Sequence, residues 1–340
     1  MSTAKSDVLH LGIVGAVKRG RSFRVACDVT ENIHVRAVCD TNKEKLAEAK
    51  ENFGAEESYD DYERMLEASE LDAVIIATPM PLHVPQAIAA LEKDISVLSE
   101  VPAGVSLDEC RRLVAACKKS RGMYMMAENY TYTKPCVLIR ELVRQGLFGR
   151  TYYAEGEYIH ELKELNEVTK WRRTWQSGIN GITYGTHSLG PILHWMPDDR
   201  VVSVCCAGSG QHYKDPRGDY YENEDSCVML GKMKSGGLVK IRVDMTSDRP
   251  HAMRNYVLQG VDGAYESART AEGKHWVWLR SKCPDKKTWM ELFELEDEFL
   301  PEEWREASEA AQKAGHGGGD YLEIIDFVRA VRSEKPCPIG

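Results

Sequence analysis

The first third of the chain alternates short β-branched runs with stretches of helical spacing, and this alternation constrains the fold more than any other feature. Five short runs predict strands at 9–14, 35–39, 73–77, 96–99 and 123–127. The segments between them are long enough for the crossover helices that parallel strands need. Continuously apolar strands are typical of a parallel sheet covered on both faces. We therefore predict a doubly wound α/β domain.

The pattern changes near residue 130. Two helical stretches, 135–145 and 184–195, lie on either side of a β-like segment, and predicted strands follow at 201–207, 226–233, 237–245, 255–259 and 275–279. Strands in sequence that are separated by short turns are typical of an antiparallel or mixed sheet. We predict two domains, residues 1–129 and an α+β domain over 130–340, whose last helix covers about 320–333.

Charge and hydropathy narrow the classes of partner. The 340 residues carry 44 Lys and Arg against 53 Asp and Glu, a net charge of −9. Such a chain has no general attraction for a nucleic-acid backbone or an anionic bilayer, so we expect neither as a partner. The N-terminal stretch has no apolar core of a signal peptide, and no run approaches the roughly 18 apolar residues of a membrane span.

The ten cysteines indicate a reducing compartment. None lies in a C-x-x-C pair, and Cys205 and Cys206 stand inside an apolar run. Buried reduced thiols are therefore favoured over a disulfide or zinc framework, and we expect a cytoplasmic protein.

The first predicted strand leads into a glycine-containing turn and then a helical pattern. Gly15 and Gly20 fit the first and third glycines of G-x-G-x-x-G, which make the tight turn and let the helix pack on the strand. Val17 occupies the second position, where a valine narrows the approach of a pyrophosphate to the backbone. Taken alone, the turn also fits an ordinary strand–turn–helix.

Positions further along the chain support a dinucleotide site. Asp40 ends the second predicted strand about 20 residues after the last glycine, where a carboxylate accepts ribose hydroxyls. Thr78 and Pro79 follow the third strand, at an edge that can line the cofactor. A carboxylate repels a 2′-phosphate, so Asp40 favours NAD over NADP. Two basic residues nearby, Arg19 and Lys43, weaken this preference for NAD. Arg19 is also a candidate to bind the cofactor.

A series of motifs runs through the chain: GIVGAVKRG, AVCD, SYDDYERML, DAVIIATPMPLH and ALEKDISVLSEVPAGVSLDE. In this order they resemble the Gfo/Idh/MocA family, which includes inositol and other sugar dehydrogenases. The resemblance covers essentially the whole chain. It implies an N-terminal Rossmann domain and a C-terminal α/β domain whose open sheet often forms oligomer contacts, so we expect a homo-oligomer built through that sheet.

Two departures from the dehydrogenase pattern point to one branch of the family. Many dehydrogenases have Glu-Lys-Pro, with the lysine beside the nicotinamide, where this chain has Glu100-Val101-Pro102. Their Asp-x-x-x-His helix start appears here as YGTH, ending at His187. With MMAENY, YIHEL and GHGG, these features resemble the NAD-dependent glycoside hydrolases typified by α-N-acetylgalactosaminidase. Three mild departures from that branch leave the sugar open: Glu161, Gly185 and Ser188.

The resemblance also assigns residues to the cofactor site. Glu100, Val101 and Asn129 match positions at the edge of the cofactor, and His83 ends the matching run DAVIIATPMPLH. Relatives of the branch usually continue beyond the position of Gly340, so the chain is expected to lack a C-terminal segment that they have.

The mechanism of that branch, as the resemblance implies it, begins with oxidation of the sugar's 3-hydroxyl by bound NAD⁺, which acidifies C2–H. A base removes this proton, the aglycone leaves from C1, water adds back, and NADH reduces the ketone. No net redox change occurs, unlike in the two-carboxylate scheme of most glycosidases. Such a path needs a base for the 3-hydroxyl, a base for C2–H and donors to the enolate.

Three side chains are candidates for this proton transfer. His187 is the first choice to accept the hydroxyl proton, because an imidazole is half-protonated near neutral pH. A histidine that caps the helix N-terminus is the alternative. Tyr158 and Tyr184 are candidates for the second base or the enolate donor, and packed tyrosines with hydrogen-bonded hydroxyls are the alternative.

The segment KWRRTW supplies candidates for sugar binding. Arg172 and Arg173 have the donors to bind sugar hydroxyls, while Trp171 or Trp175 stacks on the ring. A solvated charged loop is the alternative.

Histidines near carboxylates raise the question of a metal, namely His160 with Glu157 and His316 with Asp320. No close-spaced ligand pair such as H-E-x-x-H occurs, so we expect no metal.

Three functions stay open from the sequence. Glycoside cleavage by transient oxidation is favoured. A simple NAD(P)-dependent sugar or polyol dehydrogenase is the first alternative. A non-catalytic dinucleotide-binding regulatory protein is the second, motivated by Val17 and by the missing lysine at Val101.

Overall fold

The computed structural model describes residues 8–250 and 252–339, and these form two compact units. The first unit contains the described residues up to Tyr132 together with those from Glu306 onward, and the second runs from Thr133 to Arg305. The sequence prediction divided the chain at 129/130 and assigned everything after that point to the second domain. The structure instead places the C-terminal segment in the first unit.

Six parallel strands form the sheet of the first unit in the order β3-β2-β1-β4-β5-β6. The strands are β1 (Leu9–Val14), β2 (Ile33–Cys39), β3 (Glu57–Tyr59), β4 (Ala73–Ile76), β5 (Ser96–Glu100) and β6 (Tyr124–Ala127). The chain order reverses between β1 and β4, which creates a topological switch point where the carboxyl ends of the strands border a crevice. The predicted doubly wound fold is confirmed.

Five helices connect these strands: α1 (Arg24–Val29), α2 (Lys43–Phe53), α3 (Tyr62–Ala68), α4 (His83–Leu91) and α5 (Leu107–Cys117). Local caps set their ends. The Asn42 side chain accepts the amide of Lys45 at the start of α2, and Gly54 ends that helix with a φ of 60°. The helix α3 begins at Tyr62, because Asp61 caps it and the residues Glu57–Tyr59 before it pair as β3.

Eight strands form the sheet of the second unit in the order β14-β13-β12-β11-β7-β10-β9-β8. The strands are β7 (Thr151–Ile159), β8 (Val201–Gly208), β9 (Ser226–Met233), β10 (Leu238–Asp244), β11 (Arg254–Gly260), β12 (Gly263–Glu266), β13 (Trp276–Leu279) and β14 (Met290–Glu291). Only β7 and β10 pair in parallel, so the sheet is mixed, as predicted. The helices of this unit are α6 (Lys134–Arg144), α7 (Lys163–Val168), α8 (Arg172–Trp175), α9 (Thr186–Trp195), α10 (Glu296–Phe299) and α11 (Glu302–Arg305).

The chain returns to the first unit with α12 (Glu309–Gln312) and α13 (Gly319–Val331). On α13, Ile324, Phe327 and Val328 are buried in the same core cluster as Leu11 and Ile75 of the parallel sheet. A parallel sheet is apolar on both faces and needs a cover on each. The last helix supplies part of one cover. Its amphipathic pattern is local and could not show which sheet it would meet.

All ten cysteines are free thiols. Four are buried as predicted: Cys27, Cys39, Cys136 and Cys227. The expectation was wrong for the others, since five are half-buried and Cys205 is exposed on β8 at the edge of the eight-stranded sheet. Within the described ranges, no helix has the length and apolar character needed to cross a membrane.

Candidate active site

The turn after β1 is built around two glycines that sit against neighbouring backbone. Gly15 has a φ of 81°, and a Cβ there would lie 2.5 Å from the carbonyl oxygen of Ala77. The Gly20 amide donates to the Gly15 carbonyl at 3.0 Å, and a Cβ on Gly20 would lie 2.6 Å from that oxygen. Each position therefore excludes any side chain, as a tight dinucleotide-binding turn requires.

Asp40 lies beside this turn at the end of β2. Its Oδ2 accepts the Val17 amide at 2.9 Å, and its Oδ1 accepts the Asn42 amide at 2.9 Å. Each carboxylate oxygen has a second lone pair, so both can still accept a ribose hydroxyl. The Val17 side chain packs against the buried core of the sheet. A valine at the second glycine position is therefore accommodated by the core.

The two cations that weakened the predicted preference for NAD both have carboxylate partners. Lys43 Nζ lies 2.5 Å from Asp60. Arg19 Nη2 lies 2.6 Å from Glu100 Oε1 at the end of β5, and its Nη1 lies 3.5 Å from Asp320. Burial lowers the pKa of Arg19, but these two carboxylates raise it by more, above its ordinary range. Both charges are thus compensated within the protein, which leaves Asp40 to favour NAD.

His83 is buried between two loops that follow strands. Its Nε2 lies 2.8 Å from the Thr78 carbonyl, and its Nδ1 lies 2.9 Å from the Pro102 carbonyl. Both contacts are hydrogen bonds only when both nitrogens carry hydrogen. His83 thus lies between the residues that follow β4 and β5, and its assignment to the cofactor site stays a prediction. Thr78 in turn donates its hydroxyl to Gln86 at 2.6 Å, and Pro79 leads into a short 3₁₀ helix.

Val101 and Asn129 follow β5 and β6 and are almost fully buried. Oδ1 of Asn129 is a buried acceptor without a hydrogen-bond partner among the described residues. Such an atom is costly to leave unpaired and is suited to a ligand that donates, such as a carboxamide. With the glycine turn and Asp40, it shows that the residues of the first unit fit a dinucleotide.

The second unit brings the three predicted proton-transfer residues together. Tyr158 is the penultimate residue of β7, and His187 stands in the first turn of α9, with ring centroids 4.9 Å apart. Tyr184 Oη lies 3.1 Å from His187 Nε2, and the two tyrosine rings are 5.9 Å apart. Gly185 is the N-cap of α9, so the capping alternative for His187 is wrong.

Gly156, which the sequence did not single out, allows this cluster to form. A Cβ at Gly156 would lie 2.0 Å from the carbonyl oxygen of Ser188, the residue after His187. The start of α9 therefore packs directly on the backbone of β7. Because side chains two apart on a strand share a face, Tyr158 points to the same side as Gly156, towards α9.

His160 is a second partner that sequence reasoning did not pair with Tyr158. Its Nδ1 lies 2.9 Å from Tyr158 Oη, and the two rings meet edge to face. The pair follows from extended backbone, which places residues 158 and 160 on one side of the chain. The site thus contains two phenol–imidazole pairs.

The two adjacent arginines have different surroundings. Burial lowers the pKa of Arg172, and electrostatic interaction with Tyr184 and Tyr158 acts in the opposite direction. It also covers the Trp171 ring at 4.1 Å. Nε of Arg172 is buried without a partner in the described part of the chain. Of the two aromatic candidates for stacking on a sugar ring, Trp171 is covered by this guanidinium, and Trp175 is half-buried.

Arg173 is held by carboxylates instead. It contacts Glu167 at 3.0 Å and the buried Asp215 at 2.9 Å. Burial raises the pKa of Asp215, but the amides of Asp219 and Arg217 and the guanidinium of Arg173 outweigh this and lower it to about 2. Arg173 therefore anchors the 211–225 loop, and it does not share the surroundings of Arg172.

Near the start of α13, His316 Nδ1 lies 2.8 Å from Asp320 Oδ1. Among the residues that the structure describes, no group of three or more His, Cys, Asp or Glu side chains is arranged to hold a metal ion. The contact between His316 and Asp320 is thus a hydrogen-bonded pair. In the sequence analysis these two residues were weighed only as candidate metal ligands.

Known proteins match both halves of the chain. Residues 9–128 match the oxidoreductase family with an NAD-binding Rossmann fold, and residues 132–340 match the C-terminal domain of glycosyl hydrolase 109. A glycosyl hydrolase family 109 protein of Saccharopolyspora erythraea is 29% identical over 98% of this chain and 77% of its own length. An α-N-acetylgalactosaminidase of Shewanella oneidensis is 28% identical over 97% of this chain and 78% of its own length.

Among solved structures, levoglucosan dehydrogenase in complex with NADH and levoglucosan shares the fold. The TM-score is 0.80 at 19% identity, over 97% of this chain and 92% of that chain. The predicted family resemblance and the predicted cofactor are confirmed. The chain belongs to glycosyl hydrolase family 109 and is an NAD-dependent enzyme on the oxidoreductase family's Rossmann fold.

Proposed function

We propose that this enzyme cleaves glycosides by transient oxidation at C3, elimination, addition of water and re-reduction. The observation that carries the proposal is the cluster of two phenol–imidazole pairs, Tyr184 with His187 and Tyr158 with His160. An α-linked N-acetylgalactosaminide is the first substrate to test, because a relative that covers nearly the whole chain is named for that activity.

His187 is the proposed base for the sugar's 3-hydroxyl. Its Nε2 lies 3.1 Å from Tyr184 Oη, a distance at which a proton passes between phenol and imidazole. The imidazole is buried, so a substrate hydroxyl that displaces water meets it in a medium of low polarity, where hydrogen bonds are stronger. Tyr184 then donates to the oxygen on which charge develops.

Tyr158 is the proposed base for C2–H. A phenol is a weak base until it loses its proton, and His160 Nδ1 lies 2.9 Å from Tyr158 Oη, in position to accept it. Arg172 interacts electrostatically with both tyrosines, and its positive charge is proposed to stabilise a phenolate. The same guanidinium is the proposed donor to sugar hydroxyls, with Trp175 as the stacking ring.

NAD supplies a hydride acceptor and donor when bound. The residues proposed to hold it are Gly15, Gly20, Asp40 and Asn129, for the reasons given by their geometry. Val101 stands where many dehydrogenases carry a lysine, so that ammonium is missing from this chain. The absence of this group favours a path in which proton transfer depends on the tyrosine–histidine pairs.

A panel of aryl glycosides with NAD⁺ tests the proposal. We expect release of the phenol without accumulation of NADH, since the hydride returns in each cycle. Accumulation of NADH in proportion to turnover would show a simple dehydrogenase instead. Binding of NAD⁺ by calorimetry without turnover of any glycoside or sugar would count against both enzymes and leave the non-catalytic dinucleotide-binding protein.

The variant His187→Ala tests the assigned base. We expect turnover to fall by about 100-fold or more, as for loss of a general base, with NAD⁺ binding unchanged. The control is His34→Ala, a surface histidine in the first unit. Equal turnover of the two variants would remove His187 from the mechanism.

We also propose a homo-oligomer formed through the sheet of the second unit. Val202, Val204 and Leu230 are exposed on β8 and β9, at the edge of that sheet. An exposed apolar edge strand invites pairing with another chain. Light scattering during size-exclusion chromatography is expected to give a multiple of 38.3 kDa. A Val204→Lys variant that keeps the same mass would argue against this edge.

A cytoplasmic location is the last part of the proposal. Free thiols at all ten cysteines support it, because oxidising compartments favour disulfides. Cell fractionation that finds the protein in the soluble cytoplasmic fraction would agree, and recovery outside the cytoplasm would contradict it.

A further inference from the structure

A pair of a half-buried imidazole and a buried carboxylate in the first unit has no part in the roles assigned above. His316 stands in a glycine-rich loop with a φ of 57°, one turn before Asp320 at the start of α13. Nδ1 of His316 lies 2.8 Å from Oδ1 of Asp320, whose side chain is fully buried. A Cβ at Gly315 would lie 2.1 Å from Asp320 Oδ2, so a glycine is needed there. The loop is thus shaped around the carboxylate.

The charge on Asp320 determines which group donates in this contact. Burial raises the pKa of Asp320, but the hydrogen bond from His316 and the charge of Arg19 outweigh burial and hold it below its usual range. An ionised carboxylate only accepts hydrogen bonds, so the hydrogen lies on Nδ1 of the imidazole. In a neutral ring, Nε2 is then the acceptor.

Arg19 lies between this pair and Glu100, the last residue of β5. Its guanidinium lies 3.5 Å from Asp320 Oδ2 and 2.6 Å from Glu100 Oε1 at the end of β5. The arginine thus compensates both carboxylates and leaves Oδ1 of Asp320 to His316.

Glu323 is a second buried acid on α13, and it cannot replace Asp320. Burial and the charges of Asp320, Glu100 and Glu128 raise its pKa well above the usual value. Both of its oxygens lack hydrogen-bond partners in the described part of the chain. Its surroundings thus favour the neutral form, and Glu323 offers a control of equal burial on the same helix.

We propose that Asp320 is a positioning residue that holds His316 in the Nδ1-protonated tautomer, so that Nε2 is presented as a hydrogen-bond and proton acceptor. The inference rests on the proposed function in one respect, namely that a bound substrate uses Nε2 as an acceptor. The tautomer itself is a property of the protein without substrate. Metal-ligating and catalytic histidines are commonly held in this way by a carboxylate on the other ring nitrogen.

Nitrogen NMR of the NAD-loaded protein with ¹⁵N-labelled histidine tests the tautomer directly. His316→Asn assigns the His316 signals among the ten histidines. We expect hydrogen on Nδ1 of His316 in the wild type and in Glu323→Gln. We expect loss of this single tautomer in Asp320→Asn, because an amide can donate to Nδ1 as well as accept from it.

Turnover gives a second measurement. We expect Asp320→Asn to lower kcat about 10- to 100-fold, with KM and the affinity for NAD⁺ changed by less, and Glu323→Gln to leave kcat within about twofold of wild type. A wild-type spectrum with hydrogen on Nε2 alone, or an unchanged tautomer in Asp320→Asn, would overturn the inference. If Asp320→Asn does not fold, the wild-type spectrum still decides. Failure of every aryl glycoside would refute the proposed function and leave the tautomer result standing.

Discussion

Replacing Gly156 with alanine tests whether the close approach of α9 to β7 builds the active site. The new Cβ would lie 2.0 Å from the carbonyl oxygen of Ser188, where real Cβ atoms stay beyond 3.0 Å. The start of α9 must therefore move by about 1 Å or more. The obstructing atom belongs to backbone at a helix start and cannot rotate away as a side chain would.

The size of the effect follows from that displacement. Overpacking of this kind costs about 1–3 kcal/mol, and we expect a value at the upper end because backbone must yield. For a chain of 340 residues with an unfolding entropy of about 2.1 cal/mol/K per residue, a loss of about 3 kcal/mol corresponds to a fall in Tm of roughly 4 °C. His187 precedes Ser188, so its imidazole moves relative to Tyr158. A misplacement of about 1 Å lowers turnover about 100-fold.

The assay compares Gly156→Ala with Gly181→Ala. A Cβ at Gly181 has no heavy atom within 4 Å, so that variant adds a methyl group in the same unit without a clash. We expect the control to melt and turn over like wild type, and both variants to bind NAD⁺ normally. If Gly156→Ala melts within about 1 °C of the control and keeps its turnover, the contact between α9 and β7 does not build the site.

Three further predictions follow from individual side chains. Asp40→Ser is expected to weaken NAD⁺ binding about tenfold in calorimetry, because two charged acceptors are lost. The preference for NAD⁺ over NADP⁺ is expected to become smaller. An unchanged affinity for NAD⁺ would contradict the assignment of Asp40 to the cofactor site. Arg172→Met is expected to lower kcat/KM about 100-fold with little change in Tm. Arg173→Met is expected to lower Tm by about 3 °C, because it removes one of the two guanidinium groups that compensate buried Asp215. The reverse pattern would refute this division of roles. Burial and the charge of Arg254 lower the pKa of His275 to about 4. Between pH 6.5 and 4 the unfolded chain therefore binds a proton at this residue that the folded chain does not bind. The free energy of unfolding is expected to fall as the pH drops from about 6.5 to 4. His275→Gln should flatten that part of the denaturation profile by at most about 3 kcal/mol, and an equal slope in both proteins would count against the depressed pKa.

Local sequence pattern was sufficient for five of the six described strands of the parallel sheet and for the cofactor turn, and it missed only the short edge strand β3. Strand and helix periods are properties of a few consecutive residues, so β1, β4 and β5 were found within one or two residues of their observed ends. Gly15 and Gly20 were found because only glycine fits where backbone meets backbone. Asp40 was found because its distance from the turn is set by one helix and one strand.

Pairings between distant residues were decided by the tertiary structure alone. Arg172 and Arg173 are neighbours of the same type in the sequence, yet the first covers the Trp171 ring and the second binds Asp215, more than 40 residues away. No period in the chain predicts which carboxylate will fold back onto which guanidinium.

The same reason explains the last helix and the shape of the active site. An amphipathic pattern shows that α13 must bury one face, but only packing decides that it covers the parallel sheet of the first unit. In the sequence, Gly156 has no feature that separates it from other glycines in strands. Only the tertiary structure shows that the carbonyl of Ser188 packs against it. The sequence by itself determined the elements, the family and the cofactor, because these depend on local spacing and motif. The positions of His187, Tyr158 and Asp320 relative to their partners depend on contacts across the fold, which only the tertiary structure contains.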